Sequence, residues 1–318
     1  MFGSFAKYLF NSNTNVKVFA VKNDLGKVVY EICTDYRDLE QFYKSKYCQA
    51  FLNKAFYERL ISAISNEAVC LIIGTPCVLS GIKNTLLAQK AKLTSCIFVD
   101  LVCHGVMSQS VYHTHLEECK KRWGGVVTQH YFRYKRAVTK DCPEGSHWNL
   151  YKVNNEIIIK KSDDDYYMQT YFADLAMRET CYCCQFTGTN RIGDITIGDF
   201  NNAHILCSQF DGLRSVSLVL VNTDKGQRFI DECNNNTVNL QPVDIKLLQK
   251  FNTPLTAPIK RPFQRSLFYT FYNSLGLSRT VSLLNYKYYL RKIIVAFGGK
   301  KLLLKIKALL GRSYIDIE

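Results

Sequence analysis

The stretch Val69-Cys70-Leu71-Ile72-Ile73-Gly74-Thr75-Pro76-Cys77 decides the fold. Val69 to Ile73 is an unbroken apolar block rich in β-branched residues, the composition of a strand buried on both faces, and Gly74-Thr75-Pro76 ends it abruptly. Leu79–Ala91 then carries a helical apolar pattern. The same unit recurs downstream, with an apolar strand at Cys96–Val102, the turn Cys103-His104-Gly105 and a helical pattern from Ser108 to Trp123. Strand, tight turn and helix, used twice, predict an α/β fold on a parallel or mixed sheet, with ligands held at the turns that follow the strands.

Upstream, residues 2–10 read as a short helix, Val16–Val21 and Val28–Cys33 as a hairpin around Asn23-Asp24-Leu25-Gly26, and Ala50–Ile64 as an amphipathic helix. Past Gly124-Gly125, alternation at Val126–Tyr134 and Trp148–Lys160 predicts an antiparallel insertion. Asp163-Asp164-Asp165 reads as the cap of a helix at Tyr166–Met177 rather than as a metal site, because carboxylates favour a helix N-terminus. Ile192–Phe200 and Val216–Val221 read as two further strands. From Phe251 the chain is irregular, Pro-punctuated and basic, and it ends in helical patterns at Val281–Ala296 and Lys300–Leu310. The expected organisation is a domain over 1–250 and a basic, partly amphipathic helical tail over 251–318.

The chain has 318 residues, 47% of them hydrophobic, which suffices for a proper core and excludes global disorder. No apolar run reaches the roughly 18–20 residues of a membrane span, and Met1-Phe2-Gly3-Ser4 lacks the basic start of a secretion signal. A cytoplasmic location is expected. In a reducing compartment the 13 cysteines read as metal ligands, redox groups or core thiols rather than as a disulfide framework. The net charge is +14, but Lys246–Glu318 holds 14 Lys and Arg against only Asp316 and Glu318, so +12 of it lies in the tail. Leu302, Leu303, Leu304, Ile306, Leu309 and Leu310 interleave there with Lys300, Lys301, Lys305 and Lys307. That pattern suits peripheral contact with the anionic inner face of a membrane, with packing against the core or a partner as the alternative. Nucleic-acid binding rests on this tail alone and is the weakest reading.

Cys77 and Cys103 each follow a strand in a tight turn, and Cys181-Tyr182-Cys183-Cys184 contains a C-x-x-C pair able to present two sulfurs to one metal. Together the four would make a four-thiolate site. On spacing alone, structural zinc, an iron–sulfur cluster, a redox pair and incidental thiols all stay open. The other nine cysteines (Cys33, Cys48, Cys70, Cys96, Cys119, Cys142, Cys183, Cys207 and Cys233) mostly read as small core hydrophobes, with Cys183 the exception inside the motif.

Gly74-Thr75-Pro76-Cys77, Val99-Asp100-Leu101-Val102-Cys103-His104-Gly105, Cys181-Tyr182-Cys183-Cys184-Gln185-Phe186 and Arg191-Ile192-Gly193-Asp194-Ile195-Thr196-Ile197-Gly198-Asp199-Phe200 resemble, in order and spacing, the coenzyme F420 hydrogenase/dehydrogenase beta-subunit family. Ser45-Lys46-Tyr47-Cys48-Gln49 joins the resemblance, which runs from near residue 1 to about residue 275. Relatives include chlorophyll-pathway reductases and members linked to polysaccharide biosynthesis. The resemblance implies a flavin-dependent oxidoreductase holding FAD beside a 4Fe-4S cluster, with Cys77, Cys103, Cys181 and Cys184 as cluster ligands. It also implies flavin contacts from Ser45, Lys46, Tyr47 and Gln49, from Gly74, Thr75 and Pro76, and from Gly105, with Arg191 and Asp194 shaping the site. Lys46 would set a cation near the flavin ring or a phosphate. His104 would hydrogen-bond the cluster or move a proton, a structural hydrogen bond being the alternative.

Relatives commonly begin with a ferredoxin-like C-x-x-C-x-x-C module and a Ser/Gly-Gly turn; here Met1-Phe2-Gly3-Ser4-Phe5 resembles a start at or after that turn. Electrons would then come from a ferredoxin or deazaflavin-type donor, from a separate polypeptide, or not at all in a truncated chain. Two functions follow. One is an iron–sulfur flavoprotein passing electrons to an organic acceptor, with surface polysaccharide biosynthesis as the context that the resemblance suggests. The other is a catalytically impaired or zinc-stabilised scaffold of such a pathway.

Overall fold

The computed structural model describes residues 1–24, 26–134, 148–200, 203 and 216–285. The chain divides into two compact units, Met1–Pro262 and Phe263–Glu318. In the larger unit, β1 (Val16–Asp24), β2 (Lys27–Cys33), β3 (Val69–Gly74), β4 (Cys96–Leu101), β8 (Ile195–Asp199) and β9 (Ser217–Val221) form one six-stranded sheet in the order β2-β1-β3-β4-β8-β9. β1, β3, β4 and β8 run parallel, and β2 and β9 are the antiparallel edges. The expected α/β architecture on a mixed sheet is present.

Period-2 alternation between two buried faces explains why β3 is apolar throughout. Leu71 and Val99 face a core with Phe5, Leu9 and Phe229, whereas their neighbours Ile72 and Phe98 face the opposite core with Phe56, Leu60 and Leu79. Fully burying one such side chain contributes about 1.5–3 kcal/mol. Helix α1 (Phe2–Ser12) supplies the first face, and α2 (Lys54–Ser65) and α3 (Pro76–Ala88) the second.

Local chemistry moves several boundaries from those read in the sequence. α2 starts at Lys54 rather than Ala50, because the Asn53 side chain accepts the Phe56 N–H at 2.9 Å, while the Phe51 N–H is taken by Val28 O. α3 starts at Pro76, which needs no N–H partner at a helix's first position, so Cys77 lies in the first turn of α3 rather than in a loop. α4 (Gln109–Trp123) opens on a Ser108 cap and closes on left-handed Gly124 (φ +68).

The antiparallel insertion is a separate sheet of β5 (Val127–Tyr134), β6 (Trp148–Val153) and β7 (Glu156–Lys161). Residues 148–160, read above as one alternating segment, are a hairpin, turned at Asn154 with φ +53. Asp165 caps α5 (Tyr166–Phe172) by accepting the Met168 N–H at 3.0 Å, as the acidic triplet suggested. α5 ends five residues short of Met177, because Asp174 enters the left-handed region (φ +54) and Leu175 N–H closes back on Thr170 O.

A buried polar seam joins this sheet to α4 and α5. His115 meets the Tyr151 hydroxyl at 2.9 Å, Tyr151 donates to Asp165, and His130 contacts Tyr112 and Asn149. Burial holds both imidazoles below their ordinary range, so they are neutral structural partners. In the smaller unit, Arg265–Leu275 and Leu277–Leu284 are short helices meeting at Gly276, with Phe268 stacked on Tyr272 at 5.5 Å. The tail patterns beyond residue 285, including Lys300–Leu310, and the cysteines Cys142 and Cys207 lie outside the described residues. Among the described residues no helix is long and apolar enough to cross a membrane.

Candidate functional site

Register brings the two turn cysteines together. Gly74 at the end of β3 pairs with Asp100 near the end of β4, so the segments bearing Cys77 and Cys103 leave the sheet side by side. The C-x-x-C turn arrives from α5 along a short ladder, in which Met107 bridges Met177 and the Arg178 N–H donates to Val106 O at 3.0 Å. Gly105 lets it approach, since a Cβ there would meet Met177 Sδ at 3.3 Å and Cys181 Cβ at 3.5 Å. Cys77, Cys103, Cys181 and Cys184 thereby line one cavity of about 440 Å³, together with Cys183 and His104. Burial, and then the charges of Cys77, Cys181 and Cys184, push the Cys103 thiol up to about 12. Among the described residues no three His, Cys, Asp or Glu side chains meet closely enough to hold a single metal ion.

A second cavity of about 300 Å³ adjoins the first, and Thr75, Cys77, Val78, Val106 and Arg178 line both. Of the residues expected at a flavin, Ser45, Lys46, Gln49, Gly74 and Thr75 line this second cavity, and Pro76 and Gly105 line the cysteine cavity. Gly74 is required there because a Cβ would collide with the Tyr30 hydroxyl. Tyr47 lines neither; its ring packs on Tyr171 at 4.7 Å. His104 meets the Asp174 carboxylate at 2.7 Å and packs against Tyr171. It is therefore an oriented imidazole at the cavity mouth.

Arg191 and Asp194 also line neither cavity. Arg191 is fully buried against Asp100 at 2.9 Å and donates to the carbonyls of Leu101 (2.8 Å) and Phe186 (2.9 Å). Asp100 further accepts the N–H groups of Ile192 and Gly193 at 3.1 and 3.0 Å. This brace staples the loop after Cys184 to the strand end before Cys103. Asp194 accepts from Phe98 N–H and Thr223 and pairs with Lys225 at 3.1 Å. Arg178, Tyr30 and Asp174 escaped the reading of the sequence, and Asp100 entered it only as part of a motif, without a role. Asp100, a lone acid in an apolar strand, carried the clearest signal, because a buried charge needs a partner.

Lys46 Nζ donates to Phe42 O and Tyr43 O, both at 2.8 Å. Burial, and then the neighbouring Lys44, push its ammonium down to about 7, from an ordinary value near 10.5. Between those values the unfolded chain binds the proton more tightly, so this group makes stability rise with pH from about 7 to 10.5. Lys46→Met should remove that slope, which is at most about 1.4 kcal/mol per pH unit. Urea midpoints of both proteins at pH 7 and pH 9 check it: the stability of the variant relative to the parent falls as pH rises, and parallel profiles would contradict it.

Residues 68–246 match the model of the C-terminal region of the coenzyme F420 hydrogenase/dehydrogenase beta subunit. No curated protein matches the chain. Among solved structures, a chain of the xenon-derivatised F420-reducing [NiFe] hydrogenase complex from Methanosarcina barkeri is 12% identical, with 80% of this chain and 81% of that one covered and a TM-score of 0.49. The family match spans more than half of the chain and takes in Cys77, Cys103, Cys181 and Cys184 along with the Arg191 brace, so the chain belongs to the coenzyme F420 hydrogenase/dehydrogenase beta-subunit family, a family of redox proteins.

Proposed function

We propose that the chain is an iron–sulfur flavoprotein oxidoreductase, in which Cys77, Cys103, Cys181 and Cys184 hold a 4Fe-4S cluster and the adjoining cavity receives the FAD ring. The observation that carries this reading is the shared wall: four thiols frame one cavity, and Thr75, Cys77, Val78, Val106 and Arg178 border it and the second cavity alike. The donor set fits. Thiolates are what an iron–sulfur core selects, and a core that interposes its own iron and sulfide has ligands that frame a space rather than meet at a point. When bound, the cluster would supply single-electron exchange and the flavin hydride chemistry.

The chain's own residues would do the rest. The buried Asp100–Arg191 pair holds the two thiol-bearing segments in register. His104, oriented by Asp174, would carry a proton between the cysteine cavity and solvent. In the flavin cavity, Lys44 and Arg178 supply positive charge, and among the described residues no Asp or Glu lines it, which suits an anionic ring or phosphate. This cavity is at the small end for ligand pockets, enough for a ring system. Lys44 and Phe2 continue it into a second hollow at the N-terminus of α1, lined by Gly3, Ser4 and Lys7, where the phosphates would lie. Exposed Cys77 offers a short path from a ferredoxin or deazaflavin-type donor. The acceptor is an organic molecule, and a place in surface polysaccharide biosynthesis follows from the resemblance alone.

Anaerobic reconstitution of the full chain with iron, sulfide and FAD tests this reading. The expected product holds iron and acid-labile sulfide in equal amounts together with flavin. A folded chain that takes zinc and no flavin would support the scaffold instead.

A further inference from the structure

Arg178 stands on the wall common to both cavities. It is half-buried, and its backbone is held by the Met107–Met177 bridge and by the bond to Val106 O. Nearby cations are neutralised or occupied: Arg191 by Asp100, Arg133 by Asp199, Arg261 by Glu179, and Lys46 by two carbonyl oxygens. Lys44 lies over the Tyr131 ring at 4.1 Å. Among the described residues, by contrast, the Arg178 guanidinium has no carboxylate or hydrogen-bond partner, and no Asp or Glu lines either cavity. A half-buried cation with no anion beside it is incompletely compensated, and an anionic ligand in either cavity would supply the missing charge.

We propose that Arg178 is the shared counter-charge of the two redox groups, raising the reduction potential of both. This rests on the iron–sulfur flavoprotein reading. Four thiolates around an iron–sulfide core leave net negative charge, and each electron taken from an external one-electron donor adds one more unit. A reduced flavin is likewise anionic. One guanidinium on the wall between them lowers the electrostatic cost of placing the electron on either side.

The test is anaerobic dye-equilibrated titration of the reconstituted full chain, followed at the cluster and flavin absorption bands. Arg178→Gln should weaken one-electron reduction of both groups by about tenfold, a fall of about 59 mV in each potential, and Arg178→Lys should restore most of it. Iron and flavin content are measured on every sample, and the potentials are compared at full loading of both groups. Unchanged potentials in a fully loaded Gln variant, or a fall confined to one group, would overturn the inference and leave the cofactor reading standing. A chain that takes up neither cluster nor flavin would overturn both.

Discussion

Arg191→Met should destabilise the larger unit by about 3–5 kcal/mol, the usual cost of breaking a buried ion pair from one side. Asp100 is fully buried and accepts from the Arg191 guanidinium at 2.9 Å, so removal of the arginine leaves an ionised carboxylate with only the Ile192 and Gly193 N–H groups. The Leu101 and Phe186 carbonyls lose their donor at the same time. Urea denaturation should show a lower midpoint at an unchanged slope. Asp100→Asn combined with Arg191→Met should cost less than the sum of the single changes, because no charge is then stranded. A single variant within 1 kcal/mol of the parent, on the order of a surface substitution, would show that the pair is dispensable.

Cys103→Ser should abolish iron loading. Cys103 lines one cavity with Cys77, Cys181 and Cys184, and the charges of all three act on it. Serine keeps the shape and replaces a soft thiolate with a poor donor for iron and sulfide. Losing even an outer partner of a metal site costs about 10–100-fold in affinity, and losing a ligand should cost at least that. Cys77→Ser, Cys181→Ser and Cys184→Ser should behave alike. Cys183→Ser is the control: Cys183 lines the same cavity but is not among the four, so iron and sulfide should stay near the parent level. Equal loss in Cys183→Ser would break the four-ligand assignment.

Much of this protein was legible in its sequence because the relevant physics is local. A short, β-branched apolar block followed by Gly-Thr-Pro reads as a buried strand that stops, and β3 is such a strand, with Leu71 and Ile72 in opposite cores. The acidic triplet announced a helix cap, and Asp165 is that cap. Six of the nine cysteines read mainly as packing residues are buried; Cys183, already marked as doubtful, is exposed. The boundaries that shifted did so where a side chain or a backbone reversal intervened, at Asn53, Pro76, Asn154 and Asp174.

The sequence alone determined the α/β class and the strand-end turns, since each depends on residues close together in the chain. Only the tertiary structure decided that Arg191 is a brace while Arg178, thirteen positions earlier, faces both cavities. Both are arginines in loops beside the C-x-x-C turn, and no local rule separates them. The difference lies in their neighbours: Asp100, brought to Arg191 by the pairing of β4 with β8, neutralises one charge, and no described carboxylate reaches the other.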